Sequence, residues 1–210
     1  MKKILHVSCS PRGSAAESYW LSRQIIELLR REAPSAAVIN RNIGGVMPHI
    51  DANYAISQSS LEDVSKMGSM AHSEVLVQEL ESADFVIIGT PMHNFTIPSA
   101  LKAWIDHVVR ARRTFNITPE GKVGTLRDRP VFIAISSGGH FSGENARQRD
   151  FLTPYLRYIL GVIGLRNLTF FSVEGTAAKP DAVAKSRKQA ESAIQEHFEG
   201  ILLEPASINS

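Results

Sequence analysis

The chain has 210 residues, which is enough for one domain with a full hydrophobic core. Its hydrophobic fraction of 43% and charged fraction of 21% are ordinary for a globular protein, and its net charge of +2 is too small to imply nucleic acid or a membrane as an obligate partner. The single cysteine, Cys9, excludes an intrachain disulfide. The apolar N-terminal stretch is too short for a signal peptide, and no apolar run approaches the roughly 20 residues of a membrane span, so we expect a cytoplasmic protein.

Apolar runs rich in β-branched residues alternate with segments of helical periodicity. The strands are predicted at 4–8, 36–40, 84–90, 130–136 and 168–173. The helices are predicted at about 18–31, around Leu76 and Leu80, from Pro98 to Val108, at 152–163 and at 180–198. The segment 41–60, which contains a Gly-Gly pair and Pro48, predicts a long surface connection, and the tail after Gly200 is predicted to be loose.

This alternation predicts an α/β fold of doubly wound type, with a five-stranded parallel sheet and helices on both faces. We expect a single domain over residues 1–200, followed by a C-terminal tail at 201–210. In such sheets, ligands bind beyond the carboxyl ends of the strands, at the point where the strand order reverses. The loops after the first, third and fourth strands are therefore the candidate site.

The loop after the first strand runs from Ser8 to Ser18 and is rich in hydroxyl groups. Hydroxyls and backbone N–H groups at a helix N-terminus form an anion site. The loop lacks the glycine spacing of dinucleotide and nucleoside-triphosphate loops, and a cysteine-phosphatase loop would need an arginine where Ala15 stands. Two interpretations stay open here: a phosphate site, or simple helix capping by Ser14 or Ser18.

The loops after the third and fourth strands have the chemistry that an isoalloxazine ring needs. Such a ring requires apolar contacts on its faces and hydrogen-bond donors along its polar edge. Asn94 offers an amide, and the backbone at 92–95 and at 136–139 offers N–H donors, with paired glycines that allow close approach. The seven histidines lack the spacing of metal ligands, so no metal site is predicted.

With these motifs in order, the sequence resembles the FMN-dependent NADH azoreductases, which also act as NAD(P)H:quinone reductases. The resemblance covers most of the chain and rests on matches spread from the first loop to the last strand. These are Ser10 with Glu17-Ser18, Pro91-Met92-His93-Asn94-Phe95, the segment 100–106, Thr114-Phe115, Ser136-Ser137-Gly138-Gly139, the segments 153–156 and 160–164, and Val173-Glu174-Gly175.

The resemblance implies a flavodoxin-like fold with tightly but noncovalently bound FMN, and NADH or NADPH as co-substrate. It implies a homodimer with FMN near the interface, and ping-pong hydride transfer to a quinone or azo acceptor. FMN carries the chemistry, so no catalytic side chain is expected. The implied cofactor-binding residues are Ser10, Glu17 and Ser18 at the phosphate, Pro91, Met92, His93, Asn94 and Phe95 along the ring, and Ser136, Ser137, Gly138 and Gly139 at the polar edge.

The expected substrate pocket consists of Phe115, His140, Phe141, Tyr155 and Val162. A surface-loop role for His140 and Phe141 is an equal alternative. This sequence departs from the family pattern at Ala16, Ile117 and Val162, and in a long basic segment at 140–149. Two other functions compete with the enzyme: an electron carrier of flavodoxin type, although such carriers are usually strongly acidic, and a binding module without cofactor.

Overall fold

The computed structural model describes residues 1–59 and 68–203. Seven strands and six helices occur in this part of the chain. In order they are β1 (Lys3–Ser8), α1 (Glu17–Glu32), β2 (Ala37–Asn42), α2 (Ala52–Ser59), α3 (Gly68–Ser82), β3 (Phe85–Pro91), α4 (Ser99–Val108), β4 (Phe115–Thr118), β5 (Gly121–Gly124), β6 (Val131–Ser136), α5 (Thr153–Val162), β7 (Leu168–Val173) and α6 (Pro180–Leu203).

Five of the strands form one parallel sheet in the order β2-β1-β3-β6-β7. Counted along the chain, that order is 2-1-3-4-5, the arrangement of flavodoxin-like sheets, in which the connection reverses direction between β1 and β3. The prediction of a doubly wound five-stranded sheet is therefore confirmed.

Alternate residues of the strands pack into two separate hydrophobic cores, because successive side chains of a strand point to opposite faces of the sheet. Leu5, Val7 and Ile88 pack on the face covered by α3, α4 and α5. Ile4 and Ile87 pack on the opposite face, which α1 and α6 cover. Each central strand is thus buried on both faces, which explains why its sequence is continuously apolar.

The sequence prediction missed two elements. The segment 41–60 is not only a connection, since it contains the end of β2 and the helix α2. The antiparallel hairpin of β4 and β5 was also missed. Its strands have four residues each and are mostly exposed, so they show no buried alternating face, and their turn depends on Gly121 at a φ of 122°.

The last helix, α6, continues to Leu203, past the predicted end of the domain at residue 200. The rest of the predicted tail, residues 204–210, lies outside the described residues. None of the helices in the described ranges has the length and apolar character needed to cross a membrane.

Candidate functional site at the carboxyl edge of the sheet

The loops that follow β1, β3, β6 and β7 meet at one edge of the sheet, as the strand order requires. Backbone hydrogen bonds continue the ladder past the strand ends and hold these loops together. The N–H of Cys9 donates to the carbonyl of Gly89 at 2.8 Å, and the N–H of Met92 donates to the carbonyl of Ser136 at 2.8 Å. The first residues of each loop are therefore as fixed as the sheet itself.

An open cavity of about 210 Å³ lies between these loops. It brings together residues that are far apart in the chain but were predicted as one site: Ser10, Glu17, Pro91, Met92, His93, Ser136 and Gly138. It also includes residues that were not predicted, namely Pro11, Arg12, Ala16 and Thr176. Thr176 follows the last strand of the sheet, so the rule that located the other loops also applies to it.

One end of the cavity has the properties of a phosphate site. Ser10 is buried, and its Oγ accepts a hydrogen bond from the N–H of Arg12 at 3.2 Å. Ser18, in the first turn of α1, is fully buried, and its Oγ has no hydrogen-bond partner among the described residues. The first N–H groups of α1 have no acceptor within the helix, and they carry the positive end of its dipole. The N–H groups of Tyr19 and Trp20 donate to the carbonyl of Ala16, so the amides of Glu17 and Ser18 are the ones that can face a ligand. A buried, unpaired hydroxyl in the same turn fits an anionic ligand and goes beyond simple capping.

The loop after β3 forms a tight turn with strained backbone. His93 and Thr96 exchange backbone hydrogen bonds of 2.9 and 3.0 Å, which leaves Asn94 and Phe95 as the two central residues. These have φ angles of 48° and 70°, in the left-handed region that asparagine tolerates and phenylalanine rarely adopts. The Phe95 ring is nevertheless 50% exposed. A strained residue with an exposed aromatic side chain, two positions after His93 of the cavity lining, indicates function.

Replacing Phe95 with asparagine should therefore stabilise the fold. Asn tolerates positive φ, so we expect Phe95→Asn to raise the free energy of unfolding by about 0.5–1 kcal/mol. Phe95→Leu is the matched control, because it keeps an apolar side chain and the strain. Urea unfolding of the ligand-free protein measures both. Equal stabilities of the two variants would show that the turn stores no strain.

The loop after β6 is supported from behind by Gln148, which the sequence did not identify. Its Nε2 donates to Ser137 Oγ at 2.9 Å and lies 3.2 Å from Met92 Sδ. A Cβ on Gly139 would stand 2.6 Å from Gln148 Oε1. The segment 140–149 thus folds back and connects the loops after β3 and β6. This contact depends on tertiary structure and leaves no pattern in the sequence.

The same segment is anchored at its start by Glu174, which is 7% exposed. The carboxylate accepts hydrogen bonds from the N–H of Phe141 at 2.8 Å, the N–H of Ser142 at 3.2 Å and the hydroxyl of Ser172 at 2.9 Å. His140 lines a different cavity, of about 330 Å³, between β7 and α6. The structure therefore separates His140 from the cavity that contains Met92.

The other predicted pocket residues lie close to the core that α3, α4 and α5 cover. Phe115 is buried in that core at 6% exposure, with Lys122 Nζ 5.0 Å from its ring centroid. Phe141, Tyr155 and Val162 are partly buried and pack against the same core. Their partial exposure leaves them available to a ligand or to a partner surface, whereas Phe115 offers little surface.

Two other residues, Cys9 and Arg110, have structural roles. Cys9 is fully buried, and burial raises the pKa of its thiol, which opposes formation of a reactive thiolate. Arg110 is also buried; its guanidinium binds Glu74 at 2.9 Å and Ser73 Oγ at 3.1 Å. It therefore forms an internal ion pair with α3 instead of simply balancing the dipole of α4, the role that its position after that helix suggests.

The comparisons with known proteins agree with this fold. A family described as having a flavodoxin-like fold matches residues 2–198. A protein of Cupriavidus pinatubonensis named FMN-dependent NADH:quinone oxidoreductase 2 is 45% identical over 191 residues, covering 88% of this chain and 92% of that protein. FMN-dependent NADH:quinone oxidoreductase 4 of Pseudomonas fluorescens is 42% identical over 195 residues, covering 92% of this chain and 94% of that protein.

Among solved structures, an azoreductase from Bacillus anthracis superimposes with a TM-score of 0.77 at 24% identity, covering 93% of this chain and all of that one. At this identity the likeness supports the fold alone. The sequence matches extend over nearly the whole length of both partners. The chain therefore belongs to the flavodoxin-like family, together with proteins named FMN-dependent NADH:quinone oxidoreductases.

Proposed function

We propose that this protein is an FMN-dependent oxidoreductase that uses NADH or NADPH to reduce quinones and, more slowly, azo compounds. The observation that carries the proposal is the cavity at the switch point of the sheet, whose lining joins Ser10, Glu17 in the first turn of α1 and the loops after β3 and β6. The buried hydroxyl of Ser18, which has no hydrogen-bond partner among the described residues, lies in that same turn. The names of the curated relatives support the same activity. The alternative of an electron carrier is disfavoured because the net charge is +2, whereas such carriers are usually strongly acidic.

Each wall of the cavity has a defined task in binding the cofactor. Ser10, Ser18 and the first amides of α1 would hold the phosphate. The turn from Met92 to Phe95 would lie along the ring, and the backbone of 136–139 would face its polar edge. When bound, FMN supplies the hydride chemistry between NADH and the acceptor. The residues of this chain orient the reactants and exclude water.

The choice of acceptor should depend on shape more than on hydrogen bonding. Phe95 offers exposed apolar surface two positions after His93, and His93, which lines the cavity, is an exposed loop residue. A pocket of this kind discriminates weakly, since one methylene contributes only about 1–3 kcal/mol. We therefore expect broad acceptance of flat quinones and slower turnover of bulkier azo dyes.

The first experiment tests cofactor and mechanism together. Protein reconstituted with FMN should be yellow, bleach on anaerobic addition of NADH and regain its colour with benzoquinone. NADH and the quinone are expected to occupy the same cavity in turn. Double-reciprocal plots of initial rate against NADH concentration, at several fixed quinone concentrations, should therefore give parallel lines. Failure to retain FMN would refute the proposal. Intersecting lines would show a ternary complex of enzyme, NADH and quinone, and would rule out a shared binding site for NADH and the quinone.

We also propose that the protein is a homodimer with the FMN sites near the interface. Several large apolar side chains are exposed, including Phe151 at 53% and Tyr158, on α5, at 74%. The N–H of Phe151 donates to the carbonyl of Phe95 at 3.1 Å, so these two exposed aromatic residues are neighbours. Ile117, on the β4–β5 hairpin, is 74% exposed. A partner subunit would cover this apolar surface and complete the wall of the site.

Light scattering should therefore give twice the chain mass. The variant Tyr158→Glu, on the exposed side of α5, should shift the protein toward monomer and weaken FMN binding, because a charge is costly in a buried apolar interface. Glu199→Lys is a control that changes charge near the far end of α6. A monomeric wild type with full activity would refute the dimer.

A further inference from the structure

The phosphate end of the cavity contains a carboxylate, which is unexpected beside a dianionic ligand. Glu17 lines the cavity and belongs to the first turn of α1, next to Ser18. Its side chain is only 16% exposed, so solvent screens its charge incompletely. The helix dipole stabilises a negative charge at this end of α1. The same charge, however, repels a phosphate that binds there.

The structure supplies a partner for this carboxylate from the other end of the chain. Arg187, on α6, donates from Nε to Glu17 Oε2 and from Nη2 to Glu17 Oε1, both at 2.7 Å. Such a two-point contact fixes the position of the carboxylate as well as compensating its charge. The guanidinium also lies 5.1 Å from the centre of the Trp20 ring, which restricts its position further.

We propose that Arg187 is a positioning residue of the FMN phosphate site, which holds the carboxylate of Glu17 and cancels its charge so that the first turn of α1 accepts a phosphate. This inference rests on the proposed function, because it assumes that FMN binds in the cavity. It assigns a role in the site to α6, for which the sequence predicted only a helix at 180–198. Glu17 and Arg187 therefore act as a unit. Loss of Arg187 should weaken FMN binding only while the carboxylate of Glu17 is present.

Removal of the arginine should expose the phosphate to an uncompensated charge. In Arg187→Met the alkyl stem is retained, and we expect the Kd for FMN to rise about tenfold, the order expected for one partly screened charge pair. The double variant Glu17→Gln/Arg187→Met removes both charges and should restore the Kd to within about twofold of the wild type. Added salt should reduce the defect of Arg187→Met, since salt screens the repulsion.

Riboflavin is the probe that separates charge from structure, since it has the same ring and no phosphate. Its affinity should be the same in the wild type and in Arg187→Met. The matched control variant is Arg23→Met, which removes the arginine of an exposed pair with Glu27, 3.9 Å apart on the same helix, and should leave FMN binding unchanged. Fluorescence titration of the apoprotein measures all of these affinities, and thermal unfolding checks that each variant folds.

The outcomes distinguish the two proposals. If the wild type binds neither flavin, the proposed function fails. If the wild type binds FMN and Arg187→Met binds it equally well, Arg187 has no role in the phosphate site. A loss of FMN and riboflavin affinity in parallel, or a loss that Glu17→Gln does not rescue, would show that Arg187 acts only through the stability of α6, and the inference would be wrong.

Discussion

The double variant Ser10→Asp/Ser18→Asp should lose FMN binding almost completely. Both side chains are buried: Ser10 lines the cavity at 3% exposure, and Ser18, at 0% exposure, follows Glu17 of the cavity lining. Two carboxylates there would face a phosphate dianion and would replace hydroxyls that can donate hydrogen bonds. We expect binding to weaken by about 3–5 kcal/mol, the range for a buried charge left against like charge. Titration of the apoprotein with FMN, followed by flavin fluorescence, measures the loss.

A second variant is needed because a buried aspartate also destabilises the fold. Ser18→Ala removes the unpartnered hydroxyl without adding charge. The ligand-free protein should become more stable by about 1 kcal/mol, since an unsatisfied buried polar group is removed. FMN affinity should nevertheless fall, because one donor to the phosphate is lost. Opposite signs for stability and affinity identify a hydroxyl kept for a ligand, and unchanged affinity would place the phosphate elsewhere.

The variant Gly44→Ala should strongly reduce both the stability of the fold and FMN binding, although this glycine does not line the cavity. A Cβ on Gly44 would lie 1.9 Å from the carbonyl oxygen of Ser10 and 3.0 Å from the backbone nitrogen of Pro11. Both contacts are with backbone atoms, so the loop after β1, which contains Ser10 and Pro11, must move. We expect a loss of about 2–4 kcal/mol in the free energy of unfolding, as for a severe steric clash, together with much weaker FMN binding.

The adjacent glycine is the control for this prediction. A Cβ on Gly45 would have no atom within 4 Å, so Gly45→Ala should leave stability and FMN affinity close to those of the wild type. Urea unfolding and fluorescence titration of both variants give the comparison. Equal behaviour of the two variants would mean that the loop after β1 tolerates displacement and does not fix the phosphate.

The sequence by itself determined the fold class and the position of the site. The central strands β3 and β6 are almost continuously apolar because both faces are covered, and that pattern is visible without a structure. Ligands of such sheets bind at the carboxyl edge, so the loops at Ser10, at Met92 and at Ser136 were predicted together. The structure places all three around one cavity, which agrees with the resemblance to FMN-dependent reductases.

Only the tertiary structure decided which residues support the site from behind. Gly44 lies in a segment that was predicted as a plain connection, and its importance comes from its closeness to Ser10. Gln148, Glu174 and Arg187 contact loops that are distant in the chain, through hydrogen bonds that leave no periodic signal. Periodicity and local motifs report which face of an element is buried and where a loop begins. They do not report which side chains meet across loops, because that depends on how the helices pack on the sheet.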